Sequence, residues 1–166
     1  MSEGQAVRAE SLGWGVKASF RSYVEMGGGE ITPADETRRE ADGSFVFAPA
    51  GDATLSLDAE DRPAGEARFA GAVKFFAHGG MLNITIMDPA LEIAGGKAVL
   101  TVVDTYHLPD RSRRLEIANL DLAGAVREGD ELVIPTLLTI PGMQLLGDAY
   151  MPNTPLDPVR LKLVAA

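Results

Sequence analysis

The sequence predicts an α+β fold that is mainly β, with antiparallel β-sheets packed together and one or two short helices. Two observations predict it. From residue 44 onward, short runs of alternating apolar and polar residues are separated by turn dipeptides, as in strands joined by hairpins. Before them, one segment spaces its apolar residues by three and four and then meets three glycines, the pattern of a single helix and its stop.

The helix is predicted over Ser11 to Glu25, with Val16, Phe20 and Tyr23 in register and Gly27-Gly28-Gly29 as its end. Lys17 and Arg21 fall together on another side, where solvent is expected. Ser19 and Tyr23 are four residues apart and share one face, which is expected to look inward. Taken by themselves they read as a core tyrosine with a satisfied hydroxyl and a serine bonded to its own helix; a functional hydroxyl pair is the other reading.

Residues 33–43 are polar and charged and predict a surface loop. Strands are then expected over Ser44 to Ala48, Thr54 to Leu57, Ala67 to Phe76, Met81 to Met87, Leu91 to Ala94, Lys97 to Tyr106 and Arg114 to Leu122. Leu82, Ile84 and Ile86 alternate with Asn83 and Thr85, which is the period of a half-buried strand. Gly79-Gly80 supplies the reversal that pairs this strand with the one before it. His78 enters that turn from an aromatic run, on the same face as Phe76 and Lys74, and alone reads as a partly exposed turn histidine.

The C-terminal part offers the run Leu132 to Ile140 and a closing strand over Arg160 to Val164. Between them Pro141, Pro152, Pro155 and Pro158 predict edge or loop, because proline cannot donate to a ladder. No internal repeat or linker divides the chain, so one domain over residues 1–166 is expected.

Composition narrows the function. With no cysteine, disulfides, thiolate metal sites, iron–sulfur clusters and cysteine nucleophiles are excluded. A formal net charge of −9 repels a phosphate backbone, so nucleic acid is not an expected partner; Arg111, Arg113 and Arg114 read as a solvated turn. No membrane-spanning segment is expected, since no run approaches the roughly 18 apolar residues a helix needs. Two histidines without HExxH or HxxxH spacing disfavour a multi-histidine zinc site, and the three glycines form neither GxGxxG nor a Walker loop. Asp88, Asp104 and Asp157 fall at turns or strand ends and read as solvated carboxylates.

Three blocks stand in order along the chain: Trp14-Gly15-Val16-Lys17-Ala18-Ser19-Phe20-Arg21-Ser22-Tyr23-Val24; Val73-Lys74-Phe75-Phe76-Ala77-His78-Gly79-Gly80 continuing through Met81–Pro89; and Tyr150 with Pro155-Leu156-Asp157-Pro158. Together they resemble the HtaA-domain family of actinobacterial haem-binding modules. The resemblance implies a compact α+β domain whose short helix presents a tyrosine to ferric haem. It implies Tyr23 as the iron ligand, His78 as the histidine bonded to the ligating phenolate, and Ser19 as a nearby polar group. Phe20, Phe76 and Leu82 are then expected as apolar walls, or else as plain core. The implied role is capture and relay of haem in iron acquisition, with other haem-transport proteins as partners and a place outside the membrane. The charged stretch around Glu36 to Asp61, the single copy of the domain and an N-terminus without a leader pattern depart from the family, and keep a cytoplasmic setting open. The alternative function is an enzyme or carrier for an apolar small molecule in the same pocket, with Tyr23 and His78 as an acid–base pair.

Overall fold

The computed structural model describes residues 5–165. Strand β1 (Gln5–Trp14) leads into helix α1 (Ala18–Met26), followed by β2 (Glu30–Ala34), β3 (Arg38–Arg39), β4 (Phe45–Pro49), β5 (Thr54–Leu57), β6 (Pro63–Ala70) and β7 (Ala72–Ala77). A 3-10 turn over His78–Gly80 connects to β8 (Leu82–Met87), then β9 (Ala90–Ala94), β10 (Lys97–Val103), β11 (Arg114–Leu120), β12 (Val126–Glu128) and β13 (Glu131–Leu138). Helix α2 (Ile140–Leu145) and β14 (Pro155–Ala165) complete the order.

The larger sheet closes on itself. Its ring runs β1–β5–β6–β9–β10–β11–β13–β14 and back to β1, every pair antiparallel. Closure leaves no open ladder edge among these strands, and their inward positions, such as Leu12, Leu91, Leu100 and Leu132, are fully buried. A second sheet has the order β2-β7-β8. Gly71, at φ +138 between β6 and β7, lets the chain leave the ring for this sheet, and a Cβ there would overlap the Thr37 hydroxyl. That hydroxyl accepts from the Ala72 amide at 2.9 Å, so the exit is pinned.

Helix α1 lies on the smaller sheet through Phe20 and Val24, both buried. The Phe20 and Phe75 ring centroids are 5.3 Å apart, and Phe45 meets Phe75 edge-on at 5.8 Å. Phe75 thus ties α1, β7 and β4 into one apolar cluster. Helix α2 starts at Thr139, whose hydroxyl accepts from the Gly142 amide at 3.0 Å, with Pro141 in the first turn. Gly142 crosses β11 so closely that a Cβ would overlap the Ile117 carbonyl. Gly142→Ala is therefore expected to lower stability by about 1–3 kcal/mol. Urea unfolding checks this; an unchanged midpoint would mean that α2 lifts freely from β11.

The expected class is found, mainly β with two short helices, and so is the hairpin through Gly79-Gly80, with β7 paired to β8. Several boundaries differ. Ser11 to Trp14 belong to β1, and the helix begins only at Ala18. The predicted run from Ala67 to Phe76 breaks at Gly71, Lys97 to Tyr106 stops as a strand at Val103, Arg114 to Leu122 stops at Leu120, and Leu132 to Ile140 gives way to α2. The loop expected over residues 33–43 includes the end of β2 and all of β3. Pro155 opens β14 and Pro158 lies within it, opposite the register shift between Ile134 and Thr136, where a bulge relieves the missing donor.

The arginine-rich turn is also not simply solvated. Arg114 sits half-buried on β11, where its guanidinium donates to the Thr101 hydroxyl at 2.9 Å and to the Asp88 carbonyl, and burial holds its pKa below the ordinary arginine value. Asp88 accepts from the Gly71 amide at 3.1 Å, so it fixes the ring exit rather than merely facing solvent.

Candidate functional site

The site lies where α1, the tip of the β7–β8 hairpin and the end of α2 meet. Gly27 and Gly29 let the helix end approach the hairpin: a Cβ at Gly27 would stand 2.9 Å from His78 Cε1, and one at Gly29 would overlap the Phe76 carbonyl and Ala77. His78 adopts φ 54, a left-handed conformation, and the glycines after it continue the turn at φ 66 and 98. This turn aims the imidazole back at α1. His78 Nε2 and the Tyr23 hydroxyl lie 3.0 Å apart, and their ring centroids 5.3 Å apart.

Both side chains border a cleft of about 590 Å³. Met81, Leu82 and Ile84 form one wall, and Leu145, Leu146, Gly147 and Ala149 another, with Asn83 as the added polar side chain. Such a size and lining suit a small molecule that is largely apolar with a few placed polar groups. One turn before Tyr23, the Ser19 hydroxyl is hydrogen-bonded to the Tyr150 hydroxyl at 2.9 Å. Lys17 stacks over the Tyr150 ring at 5.6 Å from its centroid and donates to the Pro155 carbonyl.

The structure brings Tyr23 and His78 together across 55 residues of sequence and adds Leu82 to the same cleft. It does not turn the Ser19–Tyr23 face inward: Tyr23 is 50% exposed, and the inward face belongs to Phe20 and Val24. Ser19 bonds Tyr150 rather than its own helix. Phe20, with no exposed surface, is core and cannot wall the cleft. Phe76 stands half-exposed on the outer face of β7, with Lys74 over its ring at 5.8 Å, outside the cleft lining. Arg21, expected in solvent, is instead 11% exposed and ion-paired with Asp157 at 2.6 Å.

Sequence reasoning missed the wall made by α2, although Thr139 followed by Pro141 is a local helix-start signal that precedes Leu145 and Leu146. Asp157, expected as a solvated carboxylate, pairs with Arg21, a partner that nothing near it in the sequence names. Among the described residues, no group of three or more His, Asp or Glu side chains is placed to hold a bare metal ion. No helix there is long and apolar enough to cross a membrane.

A closed antiparallel ring with a short helix clasped to a side sheet defines a β-rich α+β class, and solved structures of that class are similar to it. The C-terminal domain of HtaA from Corynebacterium glutamicum aligns with a TM-score of 0.68 at 24% identity, covering 99% of this chain and 100% of that one. The N-terminal domain of the same protein gives 0.67 at 24%, covering 96% and 97%. The haem-binding protein HtaB of that organism gives 0.66 at 20%, covering 99% and 96%. At these identities the likeness concerns the fold. The family profile described as Htaa matches residues 9–162, and the chain belongs to the HtaA family. No curated protein matches it.

Proposed function

We propose that this chain binds ferric haem in the cleft between α1, the β7–β8 hairpin and α2, with Tyr23 as the iron ligand and His78 bonded to the ligating oxygen. The observation that carries the reading is the 3.0 Å phenol–imidazole pair in a cleft lined otherwise mostly by apolar side chains. One anionic oxygen donor is too little for a bare ion, but it suits an iron already held by a macrocycle, and tyrosine is an established haem ligand. The cleft's volume and its Leu82, Ile84, Leu145 and Leu146 walls suit an apolar plate. Membership of the HtaA family, and a fold shared with the haem-binding protein HtaB, support the same ligand.

The chemistry rests on the two side chains. Bound ferric haem supplies a Lewis-acidic centre that favours the ionised oxygen. His78 Nε2, 3.0 Å from the Tyr23 hydroxyl, is placed to take the phenol proton and to donate it back as a hydrogen bond to the ligating phenolate, which would hold the oxygen in place. Tyr23 lies on the exposed side of α1, so the ligand is reached without opening the core. An accessible single ligand supported by one hydrogen bond suits capture and relay to other haem-transport proteins in iron acquisition rather than turnover.

Titrating the purified chain with haemin tests the reading. Saturable one-to-one binding with a tyrosinate-type absorption spectrum is expected; spectra that remain the sum of free haemin and protein would overturn it.

A further inference from the structure

Helix α1 has no cap of its own, since Lys17 at its N-cap makes no side-chain hydrogen bond there. The amide of Ala18 donates instead to Oδ1 of Asp157 in β14 at 3.2 Å. Oδ2 of the same carboxylate accepts from Arg21 Nη1 at 2.6 Å, one turn further along the helix. A carboxylate at a helix N-terminus also complements the helix dipole.

Every other polar atom of Asp157 is committed. Its amide donates to the Val16 carbonyl at 2.9 Å, and its carbonyl accepts from the Trp14 indole and the Thr136 hydroxyl, each at 2.8 Å. The Arg21 guanidinium donates further to the carbonyls of Gly15 at 2.7 Å and Asp42 at 3.3 Å. Two glycines make its room: a Cβ at Gly15 would overlap both Nη1 and Oδ2, and one at Gly43 would lie 3.1 Å from Nε. Val16, a buried β-branched residue, is held at φ 64 immediately before Lys17, the N-cap of α1. Such a conformation persists only where its surroundings over-determine it.

With 3.6 residues per turn, positions two apart on a helix face roughly opposite ways. Holding Arg21 in the protein therefore turns Tyr23 outward, toward the hairpin. We propose that Arg21 and Asp157 are positioning residues for the ligand site: their ion pair sets the rotation and depth of α1 that brings the Tyr23 hydroxyl to His78. The inference rests on the reading of Tyr23 as the haem ligand, and extends it to a pair of residues outside the cleft lining.

The test compares wild type with Arg21→Met, Arg21→Lys and Asp157→Asn, each used where circular dichroism shows it folded. Asp157→Asn keeps an acceptor for Ala18, and Arg21→Lys keeps the charge but not the fork, so the comparison survives if Arg21→Met does not fold. The first readout needs no haem: the ring-nitrogen shifts of His78, with Tyr23→Phe as the reference for a lost hydrogen bond. Arg21→Met and Asp157→Asn are expected to move these shifts toward the Tyr23→Phe position, and Arg21→Lys to restore part of the way. Amides of α1 should exchange faster while those of β13 do not. In haemin-loaded protein, release should be about tenfold faster, the scale of one lost charge-assisted hydrogen bond. Wild-type His78 shifts and wild-type exchange of α1 in the folded variants would overturn the proposal. If wild type takes up no haemin, the ligand reading fails, and the positioning role is still decided by the haem-free readouts.

Discussion

Tyr23→Phe is expected to abolish the tyrosinate-type spectrum and to weaken haemin binding by at least about a hundredfold, while unfolding stays near wild type. The hydroxyl is the only part removed, and the ring is half-exposed, so little packing is lost. What disappears is the proposed iron donor and the hydroxyl that pairs with His78 at 3.0 Å. A loss of roughly 3 kcal/mol, twice the free energy of a tenfold change, corresponds to that factor. Absorption titration at matched folded concentration measures it. An affinity within a few-fold of wild type would move the iron ligand elsewhere.

The second large effect concerns the frame rather than the ligand. Phe75→Ala is expected to destabilise the protein by about 3–5 kcal/mol, the range for removing a buried phenylalanine. Phe75 has no exposed surface and is wedged between Phe20 of α1 and Phe45 of β4. The cavity would open beneath α1, so haemin binding should weaken even where the variant is folded. Denaturant unfolding reads the first effect, and a cost below about 1 kcal/mol would mean that the site collapses around the gap and that α1 is seated by other contacts.

The parts of this fold that were legible in the sequence are those whose cause is local. Alternation at Leu82, Ile84 and Ile86, followed back through Gly79-Gly80, gave both a strand and its partner, because period and turn chemistry are written within a few residues. A closing strand over Arg160 to Val164 is legible, but the ring it completes is not. Its closure depends on β14 returning to β1 and β13, and no residue in 155–165 announces those partners.

The helix shows the same division. Leu12, Val16 and Phe20 are spaced by four, so the apolar rhythm of a helix extends backward across the end of a strand and a turn. What starts the helix at Ala18 is a carboxylate 139 positions away. Arg21 looked like a solvent-facing charge for that reason, and Tyr23 looked like core because the apolar stripe was rotated toward it. Only the family resemblance implies the pairing of Tyr23 with His78. Read by themselves, the two residues suggest a packed phenol and an ordinary turn histidine.

In the proposed complex, the oxygen of Tyr23 meets the iron of bound haem. Resonance Raman spectroscopy of the haemin-loaded chain, excited in its phenolate charge-transfer band and repeated with ring-deuterated tyrosine, examines that bond directly. Phenolate vibrations that shift on deuteration and vanish in Tyr23→Phe are the predicted result. Loaded protein without such vibrations, or with the same ones in Tyr23→Phe, would contradict it.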